Sequence, residues 1–250
     1  MIDLELDAGH GGADPGAVGP TGLKEKDVAL KVVKKVGPLL VAQGFTVGYT
    51  RTTDVAVGLS TRADLANKKP ARDYLSIHVN SATSAAATGT EVFSYSTGGA
   101  GEKLAANILK PLVVAVGKAN RGTKTANFAV LHQTVMPAAL AEIAFISNPA
   151  EEALLKSDAF LDKVALSIAV GYCTYRGKTY KTAAPVVVKP VVTTPAAPTQ
   201  ATGYILDLTN KLDAAQAEAN KYKLEGVSMA QKLEAANNKL TAIKHLANTF

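Results

Sequence analysis

The sequence predicts an α/β domain: a mostly parallel sheet of about six strands, flanked by helices on both faces. Three observations carry this expectation. Short apolar or alternating runs recur between amphipathic stretches through the first 175 or so residues, the pattern of strands alternating with helices. Glycine-rich turns close several of those runs, as in Gly9-His10-Gly11-Gly12 and Gly98-Gly99. The composition, 47% hydrophobic and 19% charged over 250 residues, belongs to a globular chain with room for one well-buried domain and a smaller element.

Taken in order, Ile2 to Leu6 forms the first strand and delivers His10 to its carboxyl end. Asp14-Pro15-Gly16 and Gly19-Pro20-Thr21-Gly22 are turn signals. Glu25 opens a helix whose apolar face runs from Val28 to Leu40, with Gly44 just past its end and Pro38 expected to kink or shorten it. Phe45 to Thr50 reads as the second strand, and Ser60 to Asn67 as a short helix with Arg62 on its polar side. Tyr74 to Val79 is the third strand and again carries a histidine, His78, near its end. Thr90 to Ser96 is the fourth, followed by a helix from about Glu102 to Lys118. Phe128 to Leu131 is short and strand-like, and Ala139 to Ile146, with Glu142 in an otherwise apolar run, is the last strand. Helices over Glu151 to Lys156 and Phe160 to Tyr175 close the unit.

The organisation changes after residue 180. Residues 181–202 place four prolines among Ala, Val and Thr, which reads as an extended, semi-rigid linker. Residues 203–250 carry apolar or small residues alternately three and four apart, from Ile205 to Ala247, a heptad seam interrupted only by Gly226. Such a seam needs a partner. One reading is association of tails into a homo-oligomer through one helix of about 65 Å. The other is a hairpin that breaks at Gly226, where Ser228 to Gln231 offers a capping box.

Several classes are set aside by composition. The net charge of +6 is spread without a basic run, so nucleic acid is not an expected partner. No stretch reaches the ~18–20 apolar residues of a membrane span. The lone Cys173 lies in an apolar helical stretch and reads as a small buried hydrophobe. The first strand follows Met1 directly, so the expectation is synthesis in a cytoplasm without a signal peptide.

Three strand ends and one helix start present His10, Glu25, His78 and Glu142. Two imidazoles and a carboxylate with an open fourth position make a recurrent catalytic zinc site, and a second carboxylate nearby can carry the water's proton. Each residue alone also has an ordinary reading: His10 as a turn residue, Glu25 as a helix-start carboxylate facing the macrodipole, and His78 as a core histidine. Glu142 is the most informative, because a carboxylate in an apolar run costs several kcal/mol unless it is paired, solvated or near a metal.

Several blocks carry a resemblance. Leu6 to Gly12, Gly22 to Asp27, Ser76 to Ser81 and Glu142 to Asn148, with Thr50-Arg51, Asp54, Arg62, Asn120-Arg121-Gly122, Val130-Leu131 and Met136-Pro137 between them, are similar in order and spacing to the signature blocks of the zinc-dependent N-acetylmuramoyl-L-alanine amidases. The likeness covers residues 2 to about 176. It implies one zinc ion bound by His10, Glu25 and His78, with Glu142 as general base and acid. It also implies bacterial peptidoglycan as substrate, cut at the amide joining N-acetylmuramic acid to L-alanine. His132 stands where many relatives carry arginine; it reads either as a contact to the substrate or as a polar strand-end residue. Asn80 reads as a substrate-side or orienting residue, or as a loop hydrogen-bonder. One catalytic domain, a linker and a small tail resemble a bacteriophage endolysin, made inside the host and acting on the cell wall after release. A bacterial autolysin or sporulation amidase is the alternative within the class, and a catalytically silent wall-binding protein with an oligomerising tail is the alternative outside it.

Overall fold

A computed structural model of the protein describes residues 2–181. Apart from Lys181 at its start, the expected linker lies outside the described residues, as does the heptad segment. Twelve elements follow in the order β1 (Ile2–Ala8), α1 (Glu25–Ala42), β2 (Val47–Tyr49), α2 (Leu59–Lys68), β3 (Ala71–Asn80), β4 (Thr90–Ser94), α3 (Ala100–Val116), β5 (Asn120–Thr125), α4 (Ala129–His132), β6 (Ala138–Phe145), α5 (Pro149–Leu155) and α6 (Asp158–Tyr175). The six strands form one sheet in the order β2-β1-β3-β6-β4-β5. All neighbouring pairs are parallel except β4 with β6.

The period of two along each strand sorts the core. On one face Leu4, Leu6, Leu75, Ile77, Ala141 and Ile143 pack beneath α1, α3 and α6. The opposite face carries Tyr74, Ala138 and Leu140, covered by Ala66 of α2 and by Val130 and Leu131 of α4. His78 and Glu142 belong to this second face, because they alternate with Ile77 and Ala141 and are Cα partners across the β3–β6 ladder. Close helix packing on the first face uses missing side chains: a Cβ on Gly171 of α6 would press on the α3 backbone at Asn107 and Ile108.

Three expectations are corrected here. Pro38 does not shorten α1, which runs four residues beyond it; Pro38 sits on the exposed side of the helix. The segment Phe128 to Leu131 is not a strand. Phe128 is an N-cap, and its carbonyl accepts from the Leu131 and His132 amides to make a single helical turn. The sheet's fifth strand in chain order is instead Asn120–Thr125, whose polar sequence shows no apolar alternation because it is an edge strand. Arg62, finally, is buried and not on a solvated face: it reaches from α2 onto the end of β1.

Candidate metal centre

The chain leaves β1 toward β2 on one side and returns to β3 on the other, so the crevice beyond the ends of β1 and β3 is a topological switch point, where open α/β sheets bind ligands. His10 and His78 both arrive there. His10 has φ +59°, a conformation rare for a residue with a Cβ. Its loop is held in that shape from below. Arg51 donates to the carbonyls of Ala8 (2.9 Å) and Gly9 (2.8 Å), and Arg62 donates to those of Ala8 and His10 (2.6 Å each). Gly9 is required where the loop passes His78, since a Cβ there would collide with the imidazole ring.

Beneath the loop lies Asp7, fully buried and fully partnered. Its carboxylate accepts from Thr50 Oγ1 (2.6 Å), Arg62 Nη1 (2.6 Å) and Ser76 Oγ (2.5 Å). Burial pushes its pKa upward, but the Arg62 charge and the two hydroxyls outweigh this and hold it below the usual carboxylate range.

Glu25, the first residue of α1, reaches between the histidines. Its Oε1 lies 3.2 Å from His10 Nε2 and 2.9 Å from His78 Nδ1, and accepts from the Val79 amide at 3.0 Å; its Oε2 accepts from the Ala17 amide at 2.9 Å. The three donor atoms of His10, Glu25 and His78 lie within 4.8 Å of one another. His10 Nδ1 is 2.8 Å from Asp14 Oδ2, which turns Nε2 inward. Burial would raise the Glu25 pKa, yet its bonds to His10 and His78 hold it below the normal range. The Glu25 hydrogen bond in turn raises His10 to about 9. One carboxylate at the centre thus draws positive charge around it, and two neutral imidazoles with that carboxylate are the donor chemistry of a zinc or similar divalent ion.

Glu142 stands across the β3–β6 ladder from His78. It is half-buried, and its Oε2 is sealed from solvent without a hydrogen-bond partner among the described residues. Its pKa is pushed up to about 7, chiefly by burial, against the pull of His78 and with the Glu25 and Glu91 carboxylates adding to the rise. The cluster and Glu142 line one cavity of about 610 Å³, with Asn80, Phe128 and Leu59 on its walls.

Of the six residues singled out in the sequence, five therefore line this cavity. His132 does not: it is exposed at the end of α4, with its ring 6.2 Å from that of Tyr95. Asn80 lines the cavity but spends its amide on Glu91, donating at 2.6 Å. The sequence marks Asp14 only as a turn residue and assigns Glu91 no role. Asp14 lies four residues after a loop histidine, a spacing that could have pointed to it. Glu91 carries no such local signal, because its neighbours come from other strands.

Fold and donor set together define the class: an α/β domain whose sheet edge gathers a His/Glu/His cluster of metal-binding chemistry beside an unpartnered carboxylate. Comparison with known proteins makes this specific. The family model described as N-acetylmuramoyl-L-alanine amidase matches residues 5–173, and the chain belongs to that family. It is 40% identical over 173 residues to an endolysin of Bacillus phage SPP1, covering 66% of this chain and 63% of that protein. It is 36% identical over 217 residues to the amidase AmiC of Neisseria meningitidis, covering 69% of this chain and 52% of that one. The chain thus spans between half and two thirds of the length of these two relatives. Among solved structures, the catalytic domain of CwlV from Bacillus (Paenibacillus) polymyxa var. colistinus matches with a TM-score of 0.68 at 36% identity, over 71% of this chain and 99% of that one.

Proposed function

We propose that the chain hydrolyses the amide between N-acetylmuramic acid and L-alanine in bacterial peptidoglycan, with one zinc ion held by His10, Glu25 and His78. The observation that carries this reading is the gathering of those three donors within 4.8 Å beside the orphaned Oε2 of Glu142. When bound, the ion supplies Lewis-acid polarisation of the scissile carbonyl and of water. The residues of this chain do the rest. Asp14 and the Val79 and Ala17 amides orient the donors. Glu142, with a pKa near neutrality, accepts a proton from the attacking water and returns it to the departing alanine nitrogen. Leu59 and Phe128 give the mouth of the cavity an apolar wall against which the substrate can pack.

Host-cell lysis is the biological role we favour, because a phage endolysin is 40% identical to the chain over 173 residues. A bacterial wall-remodelling or sporulation role is the second reading: the sporulation-specific amidase of Bacillus subtilis is 38% identical over 174 residues. Residues 203–250 are proposed to associate between copies or to fold as a hairpin. No helix among the described residues is long and apolar enough to cross a membrane. Digestion of purified peptidoglycan followed by mass analysis tests the activity. Intact glycan carrying free lactyl groups, together with peptides that begin in L-alanine, is expected. Cleavage of sugar linkages, or no release at all, overturns the reading.

A further inference from the structure

Beyond the metal cluster, the row of side chains across the sheet continues from Glu142 to Glu91, its Cα partner on β4, and then to the edge strand β5. Glu91 is buried, and two cations converge on one of its oxygens: Arg121 Nε at 2.7 Å and Lys124 Nζ at 2.5 Å. One carboxylate neutralises one of them, so a positive charge is left over. It is within reach of solvent, because the Arg121 and Lys124 side chains are 36% and 39% exposed. The Arg121 guanidinium is also oriented. Its carbon stands 4.8 Å from the Phe145 ring centre, Nη1 donates weakly to the Thr88 carbonyl at 3.4 Å, and Nη2 has no acceptor among the described residues. Lys124 lies over Phe93, whose ring packs edge-on against Phe128 of the cavity wall. The pair therefore stands behind the Phe93–Phe128 wall of the cavity without lining it. Two strand spacings separate β6 from β5, about 10 Å, which is the span of about three extended residues.

We propose that Arg121 and Lys124 form a carboxylate-binding subsite for the peptide on the amine side of the scissile amide, selecting stems with a free carboxylate within about three residues of it. This rests on the amidase reading given above. The guanidinium supplies a planar fork that suits a carboxylate, and the buried Glu91 holds both cations in place while Asn80 links the arrangement to the cavity. A purely structural role, neutralising Glu91, would need only one cation and no exposed donor.

The test compares two synthetic muramyl peptides, identical except that the carboxyl on the second peptide residue is free or amidated. Each is titrated calorimetrically into the full chain carrying Glu142→Gln, so that binding is read without turnover. The free acid is expected to bind about three- to tenfold more tightly at low salt. That preference should fall to about one in Arg121→Gln and in Lys124→Gln, each of which leaves Glu91 one cation, and should persist in part in Arg121→Lys. Equal affinities for the two peptides, or a preference that survives both Gln variants, overturns the subsite. Hydrolysis of both peptides by the unmodified chain is measured separately. Failure to cut either, with the binding preference intact, rejects the amidase reading and not the subsite; cleavage of both with equal affinities rejects the subsite alone.

Discussion

The two sides of the site are built in opposite ways. On the β1 side, His10 sits in a loop whose carbonyls are gripped by two buried arginines, above an aspartate with three hydrogen-bond donors. On the β6 side, Glu142 has a buried oxygen that nothing among the described residues holds. The difference matches the two roles that the proposed function gives them. A group that coordinates an ion must not move, and its support is worth the burial of charge that it demands. A group that takes up and gives back a proton must be free to change partners and must sit near neutral pKa, which an unpartnered, desolvated carboxylate does.

Removing the free side should have the largest effect. Glu142→Gln keeps shape and burial but cannot accept a proton; peptidoglycan hydrolysis is expected to fall about a thousandfold or more, with metal content by mass spectrometry unchanged. Loss of the metal together with activity would show that Glu142 belongs to the held side. Cutting the support of the held side comes next. Arg62→Ala leaves Asp7 buried with its charge uncompensated, and urea unfolding should report a loss of about 3–5 kcal/mol. Asp14→Ala is milder: it removes the acceptor that holds His10 Nδ1, so metal affinity, measured by competition with a chelator, should weaken about 10- to 100-fold.

An effect on stability alone, seen only as pH changes, sharpens the contrast within a single strand. Glu5 lies on the same face of β1 as Asp7, also fully buried, but neither of its oxygens has a partner among the described residues. Burial, outweighing the attraction of Lys69, raises its pKa from 4.5 to about 7. The folded state therefore holds this proton more tightly than the unfolded chain. Its contribution is favourable below about pH 4.5 and is lost as pH rises through 7, amounting to about 2–3 kcal/mol. Glu5→Gln should flatten the pH dependence of stability between pH 4.5 and 7. An unchanged slope would mean that Glu5 is as well partnered as Asp7.

Much of this was legible in the amino-acid order. The four residues proposed for the site stood out because strand ends and glycines mark where a sheet delivers side chains, because Glu142 is out of place in an apolar strand, and because the blocks around them resemble the amidase signatures; the structure gathers His10, Glu25 and His78 within reach of one another. Local pattern failed where tertiary packing decides. Phe128 to Leu131 is too short for its period to separate strand from helix, and contact with α2 made it a turn of helix. The polar β5 offered no alternation, so the strand that brings Arg121 and Lys124 to Glu91 went unseen. The buried roles of Arg51 and Arg62 depend on carbonyls far away in sequence, which no local spacing encodes.

Anomalous diffraction at the zinc edge, on crystals of the unmodified chain, tests the centre most directly. One ion is expected in contact with imidazole nitrogens of His10 and His78 and the Glu25 carboxylate, at about 2.0–2.2 Å. The Glu142 carboxylate should lie outside that contact shell and face the ion's open side. An ion held elsewhere, or Glu142 serving as a ligand in place of one of the three, would contradict the account.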